Sequence, residues 1–273
     1  MPHTGRPRNP NCKLQQQKRL QVTDADGWTH VTTNKNVRRA LRPNHSESST
    51  SSLTPAEPPS RLTLDDLQTQ FNGYRERWEG SETWRVMADT LRRRFEGDSD
   101  SSISDLEPES EPHATPTPLE NIVCIGLGSP SGFLRGGWVD RRSVSLYQLA
   151  ALVGVMELIK KYYPSITTYA QDPVFNQLDR SLLNSLGIIV LDHPDGFAKV
   201  SNRSFLYCPG AERTHLEQLL SSYPPLLFGG PLEGIESEVV GRYLGSRGSV
   251  RVPTFGSNEH AFWNMRLYFL KKD

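Results

Sequence analysis

The last 153 residues of the chain alternate between short apolar runs and longer segments with helical periodicity. The apolar runs are predicted strands at residues 122–125, 166–170, 188–191, 205–208, 226–228, 249–252 and 266–270. The predicted helices between them span residues 143–162, 174–186, 214–222 and 236–244. Alternating strands and helices favour a parallel sheet covered on both faces. We therefore predict an α/β fold, a three-layer, Rossmann-like and mostly parallel sheet over residues 121–273.

The first 60 residues have a different composition. They contain seven prolines, and nine basic residues stand against four acidic ones. Such a segment buries too little apolar surface to offset the entropy of ordering it, so it is predicted to be a mostly disordered basic tail. Trp28, which follows an acidic pair, is either a docking anchor or a chance exposed residue.

Two further segments separate this tail from the α/β domain. Residues 61–96 carry apolar side chains at helical spacing and predict a helical pair with an aromatic face, started by Thr63 and by Ser81. Packing of that face on the core is favoured over a groove that binds a partner. Residues 97–120 hold seven acidic residues, four prolines and no Lys or Arg, which is typical of an extended, disordered acidic linker.

Charge and cysteine content restrict the function classes. The 31 Lys and Arg balance the 31 Asp and Glu, so no nucleic-acid partner is expected. No apolar run reaches the roughly 18–20 residues that span a bilayer, so no membrane partner is expected either. Three cysteines do not make a disulfide scaffold and fit a reducing compartment, which predicts a cytoplasmic or nuclear protein. Protein partners are expected at the tail and at the aromatic helical pair.

A glycine-rich turn follows the first predicted strand of the α/β domain. Gly126 and Gly128 fit the start of a G-x-G-x-x-G fingerprint, but the third position is Ser131. Open parallel sheets bind ligands beyond the carboxyl ends of their strands, where glycines allow close backbone approach and free amides face anions. Gly126, Gly128 and Ser129 are therefore candidate residues for binding a nucleotide-like ligand.

Asp172 follows the second predicted strand. A glycine-rich turn with an acid in this position is typical of methyltransferases that use S-adenosylmethionine, in which the acid holds the ribose. Asp172 is therefore the fourth candidate residue, and S-adenosylmethionine or another nucleotide-like molecule is the candidate cofactor. The alternative is structural: the two glycines only turn the chain, and Asp172 caps a helix that begins at Pro173.

Other catalytic templates do not match. The sequence has no G-x-x-x-x-G-K-[ST] phosphate loop, and Pro130 stands at the centre of the frame that would otherwise read G-x-S-x-G. Cys208, His193 and His215 could meet at the strand ends, as a nucleophile or a metal site requires. No recognised ligand spacing supports this arrangement, so no metal site is predicted.

Several motifs in a fixed order resemble those of the Sensitivity to Red Light Reduced family, the SRR-like domain. They begin with Cys-Ile-Gly-Leu-Gly-Ser at residues 124–129, Tyr-Gln-Leu-Ala at 147–150 and Gln-Asp-Pro-Val-Phe at 171–175. They continue with Leu-Gly at 186–187, Phe-Leu-Tyr at 205–207 before Pro209, and Ala-Phe-Trp-Asn at 261–264. The resemblance extends from about Phe71 to the end of the chain.

The resemblance implies a regulatory protein without an established reaction. Members are associated with light input and the circadian clock in plants, and elsewhere with growth, cytoskeletal and haem-related phenotypes. This sequence departs from the family pattern, because Cys-Pro-Gly-Ala at residues 208–211 stands where Met-Pro-His-Cys is usual. Gly-Gly-Pro-Leu at residues 229–232 likewise replaces Gly-Asn-Ser-Phe.

Two functions therefore remain open. The first is a diverged regulatory protein that acts by binding and catalyses no reaction. The second is an enzyme or sensor that binds S-adenosylmethionine or a similar ligand at Gly126, Gly128, Ser129 and Asp172. They differ in whether Asp172 and the amides of the turn face one open cleft.

Overall fold

A computed structural model describes residues 54–96, 118–133 and 140–271, together with the backbone of two strands at residues 19–23 and 29–33. The chain divides into two compact units, Met1–Ser52 and Leu53–Asp273. In the first unit, β1 (Arg19–Thr23) pairs antiparallel with β2 (Thr29–Thr33). These strands lie in the segment whose composition predicts mostly disorder. Apart from the backbone of these two strands, the predicted tail before residue 54, including Trp28, lies outside the described residues.

The second unit contains a seven-stranded sheet. Its strands are β3 (Asn121–Ile125), β4 (Thr167–Gln171), β5 (Ile188–Val190), β6 (Ser204–Cys208), β7 (Leu226–Gly229), β8 (Arg247–Arg251) and β9 (Arg266–Leu270). The strand order is β5-β4-β3-β6-β7-β9-β8. The first five strands in this order are parallel, and β9 pairs antiparallel with both β7 and β8. The predicted α/β fold with a mostly parallel sheet is confirmed.

Six helices accompany this sheet within the described residues. They are α1 (Leu64–Glu79), α2 (Glu82–Glu96), α3 (Arg141–Lys160), α4 (Gln177–Ser185), α5 (Arg213–Leu220) and α6 (Glu238–Gly245). Side chains of β3 alternate between two cores, as the two-residue period of a strand requires. Ile122 and Cys124 face the core that α1 to α4 cover, whereas Val123 and Ile125 face the core beneath α5 and α6.

The helical pair α1 and α2 packs on the first core. Thr63 forms a capping box with Asp66, and the Ser81 hydroxyl accepts the amide of Trp84. Trp78 is fully buried, with its ring centroid 4.7 Å from that of Phe262. The aromatic face of the pair is therefore covered by the chain itself. Among the described residues, α3 is the one helix long and apolar enough to cross a membrane, and most of it is buried in this core.

A short segment before α1 also packs on the α/β domain. Composition places residues 54–60 in the predicted disordered tail, yet the structure describes them, and Ala56 is buried. The amide of Ala56 donates to the carbonyl of Val174 at 2.8 Å. A neighbouring loop supplies partners for the backbone of this segment, which local composition does not show. The predicted acidic linker lies outside the described residues up to residue 117.

Candidate functional site

The glycine turn lies at the carboxyl edge of the sheet, beside the point where the strand order reverses. The chain runs from β3 outward through β4 and β5, and β6 then returns to the opposite side of β3. The switch point therefore lies between the ends of β3 and β6. In open α/β sheets, this is the position of the ligand crevice.

Backbone contact closes this crevice next to Gly126. Gly126 has a φ of 77°, and a Cβ built on it would lie 2.7 Å from the carbonyl carbon of Gly210. In the reverse direction, a Cβ on Gly210 would lie 2.6 Å from the carbonyl oxygen of Gly126. Two residues without side chains thus allow the loops after β3 and β6 to touch. Gly126 therefore lies against the chain's own backbone, at the place where the sequence predicts close approach to a ligand.

Gly128 and Asp172 meet, as their positions after neighbouring strands predict. The amide of Gly128, whose φ is 74°, donates to Asp172 Oδ2 at 2.7 Å. Asp172 Oδ1 accepts the amide of Val174 at 3.0 Å. Burial raises the pKa of this carboxyl, and its hydrogen bonds oppose that increase. The Asp172 carboxylate therefore already accepts the hydrogen bond that the Gly128 amide would donate to a bound anion.

The structural alternative for Asp172 needs a correction. Helix α4 begins at Gln177, and its N-cap is Asn176. Asp172 therefore caps no helix at Pro173, and it ties the glycine turn to the end of β4 instead. A sequence signal for the true start was present, because Asn176 and Asp179 have the spacing of a capping box.

Ser129 is part of a buried polar cluster that also contains Ser131, Asn176 and Asp179. Ser129 Oγ donates to Asp179 Oδ2 at 2.6 Å, and the amide of Ser131 donates to Asp179 Oδ1 at 2.8 Å. Asn176 Nδ2 donates to Ser131 Oγ at 2.9 Å. Ser129 is 2% exposed and Asp179 is fully buried. Burial raises the pKa of Asp179, and the serine and amide donors oppose this. Asp179, Asn176 and Ser131 were missed by the sequence reasoning, since polar residues are expected to be exposed.

Cys208 forms neither a nucleophile nor a metal site with His193 and His215. The two imidazole centroids are 6.3 Å apart, but Cys208 is buried beneath the edge, and burial raises the pKa of its thiol to about 12. A neutral thiol is a poor nucleophile. Within residues 54–96, 118–133 and 140–271, no group of three or more His, Cys, Asp or Glu side chains could hold a metal ion.

A hydrogen-bond chain sets the tautomer of His193. The amide of Gly196 donates to Gln171 Oε1 at 2.7 Å, which directs the side-chain nitrogen of Gln171 toward His193 Nδ1 at 3.1 Å. Nδ1 is then the acceptor, and Nε2 carries the proton in the neutral ring. In this tautomer the imidazole presents a donor at the surface.

A cavity of about 230 Å³ lies at the ends of β6 and β7. Its lining residues are Cys208, Pro209, Ala211, Arg213, Leu216, Gly230, Pro231 and Ile235. The motif resemblance implies histidine and cysteine at the positions of Gly210 and Ala211, and neither side chain is present in this loop.

The comparisons with known proteins agree with the motif resemblance. The family model described as the SRR1 domain matches residues 89–269. A search of curated proteins and a search of solved structures find no match. The matched region begins within α2 and includes the sheet, the glycine turn, Asp172 and the buried polar cluster. The chain belongs to the SRR1 domain family.

Proposed function

We propose that this SRR1-domain chain is a regulatory protein that acts by binding other proteins and turns over no nucleotide-like ligand. One observation carries the proposal: two donors of the glycine turn, the Gly128 amide and the Ser129 hydroxyl, are used inside the chain. Gly128 donates its amide to Asp172, and Ser129 donates its hydroxyl to Asp179. A ligand at this edge would have to displace carboxylates that already occupy these donors.

The departure from the family pattern supports this role. Histidine at position 210 would bring a Cβ within 2.6 Å of the carbonyl oxygen of Gly126. The contact that closes the switch point is thus available to this chain because it has glycine there. We propose that the chain is a diverged member with a role in signalling, of the light-input, clock or haem-related kind that the resemblance implies, in the cytoplasm or nucleus.

The second candidate is a sensor or methyltransferase-like enzyme with S-adenosylmethionine at the turn. The observation in its favour is that Asp172, at the end of β4, contacts the turn after β3 at 2.7 Å in a doubly wound strand order. A ribose could be held there if Asp172 released the Gly128 amide. Binding would then require the turn to rearrange.

Calorimetry on the full chain separates the two candidates. The ligands are S-adenosylmethionine, its demethylated product, NAD and ATP, each at up to millimolar concentration. We expect no binding heat and no shift in melting temperature. Saturable binding of any of these ligands that is lost in Asp172→Asn would overturn the proposal in favour of the second candidate.

The matched control is Asp192→Asn. Asp192 is an exposed carboxylate near the same edge that pairs with Arg180. Any loss of binding in Asp172→Asn is site-specific only if Asp192→Asn binds like the natural chain. In cells that lack the protein, Asp172→Asn is expected to restore function once its folded amount matches that of the natural chain.

A further inference from the structure

A narrow groove beside the buried polar cluster already holds an extended peptide. One wall is formed by Gly132 and Phe133 after the glycine turn, and the other by residues 174–176 before α4. Residues 54–57, here called the strap, lie between these walls. The amide of Ala56 donates to the Val174 carbonyl at 2.8 Å, and the amide of Phe133 donates to the Glu57 carbonyl at 3.2 Å.

The side chain of Asn176 contributes the third bond to the strap. Its Nδ2 donates to the carbonyl oxygen of Ala56 at 2.9 Å. Asn176 is buried, and its Oδ1 is engaged by the first amides of α4. The groove therefore offers a fixed donor to any main-chain carbonyl placed there. All three bonds address the peptide backbone, as in recognition by strand addition.

Gly132, in one wall of the groove, limits the size of the strap side chain that lies against it. Ala56 is 4% exposed, and a Cβ on Gly132 would lie 2.5 Å from the Cβ of Ala56. The neighbouring strap residues Thr54, Pro55 and Glu57 are exposed. Only a small side chain therefore fits at the central position.

The strap is a short segment whose one buried side chain is the methyl group of Ala56, and three hydrogen bonds address its backbone. Pro55 and Pro58 reduce the conformational freedom that the strap must lose on docking. The strap also lies outside the residues that match the family model, whereas all groove residues lie within them. The groove residues thus lie in the matched region and the strap lies before it.

We infer that this groove is a peptide-binding site and that the strap is its resident intramolecular ligand. The competing partner is a protein that presents an extended, proline-flanked segment with Ala, Gly or Ser at the central position. That the competing ligand is a partner protein rests on the proposed function. That the strap occupies the groove is independent of the proposed function.

The first test uses peptide binding to the full chain. A fluorescent peptide with the sequence of residues 54–62, TPAEPPSRL, is titrated against the natural chain and against Ala56→Arg. The arginine side chain cannot fit over Gly132, so its strap leaves the groove. We expect at least tenfold tighter binding to Ala56→Arg than to the natural chain. The matched control, Thr54→Arg, adds the same charge at an exposed position and should behave like the natural chain.

A peptide that carries arginine at its central position should not bind to either chain. A folded Ala56→Arg chain that binds no peptide would overturn the inference.

Hydrogen exchange on the natural chain provides a measurement that does not depend on a variant. We expect the amide of Ala56 to exchange by local opening, at a rate insensitive to low denaturant, while amides in α3 require global unfolding. Exchange of Ala56 only through global unfolding would contradict the inference. If a partner protein binds while the strap stays in the groove, this inference is wrong but the proposed function still holds. If a nucleotide binds at the glycine turn, the proposed function is wrong but this inference still holds.

Discussion

The two halves of the sheet's carboxyl edge are built differently. At the ends of β3 and β4, carboxylates and amides face one another and form a sealed network around the glycine turn. At the ends of β6 and β7, a cavity of about 230 Å³ is lined by apolar side chains, backbone and the exposed Arg213. Both lie where doubly wound sheets bind ligands. Position at this edge is therefore not sufficient for a ligand site, because its donors must also be free.

The largest effect is expected from Asp179→Ala in the sealed network. This change leaves the donors of Ser129, Ser131 and Asn176 buried without their acceptor. Each unsatisfied buried donor costs about 1–3 kcal/mol, so we expect the free energy of unfolding to fall by about 4 kcal/mol. Urea denaturation measures this loss. A change below about 1 kcal/mol would show that the network is not sealed.

The second prediction concerns the contact that closes the switch point. Gly126→Ala adds a Cβ at positive φ and against the Gly210 backbone, whereas Gly187→Ala adds one at nearly the same φ, 76°, with nothing within 4 Å. We expect a loss of about 1–2 kcal/mol for Gly187→Ala from φ alone. The loss for Gly126→Ala should exceed it by about 1–3 kcal/mol. Equal losses in urea denaturation would contradict the loop contact.

The third prediction is a pH dependence of stability. Burial raises the pKa of both Asp172 and Asp179, so the folded chain binds their protons more tightly than the unfolded chain does. Their contribution to the free energy of unfolding therefore decreases as pH rises from the unfolded value, near 3.9, through the raised folded values. Replacing both with Asn should flatten this part of the profile. A steeper decrease in the double variant would contradict the assignment.

The smallest effect is expected on the open side of the edge. Arg213 pairs with Glu217 at 3.3 Å and also donates to the carbonyl of Glu236, and its side chain is 57% exposed. Because exposed ion pairs contribute little, Arg213→Ala should change the free energy of unfolding by less than about 0.5 kcal/mol. If Arg213→Ala lowered the free energy of unfolding as much as Asp179→Ala, the proposed difference between the two halves of the carboxyl edge would be wrong.

The order of strands and helices could be predicted because each element has its own periodic pattern of apolar residues. The last strand, Arg266–Leu270, coincides with the prediction. The start of α4 was placed three residues early, because Val174 and Phe175 continue the apolar pattern ahead of the Asn176 cap. Strands β1 and β2 were missed because composition averaged over 60 residues hides two runs of five.

The contact between Asp172 and the glycine turn could be predicted from the sequence, but the hydrogen-bond partners within the turn could not. Asp172 meets Gly128 because the carboxyl ends of adjacent parallel strands share an edge. Whether that carboxylate faces a ligand or an amide of the turn depends on distances of a few ångströms, which spacing along the chain does not determine. The burial of Asp179 and the arrival of Ala56 depend on contacts between residues far apart in sequence.

The central claim is that the Gly128 amide, the Ser129 hydroxyl and the Ser131 amide are engaged by the chain's own carboxylates. The most direct test follows the amide resonances of Gly128 and Ser131 by NMR while S-adenosylmethionine is added to the full chain. We predict that both amides are strongly protected from exchange and that neither resonance moves up to millimolar ligand. A saturable shift of the Gly128 resonance, together with loss of its protection, would contradict the account.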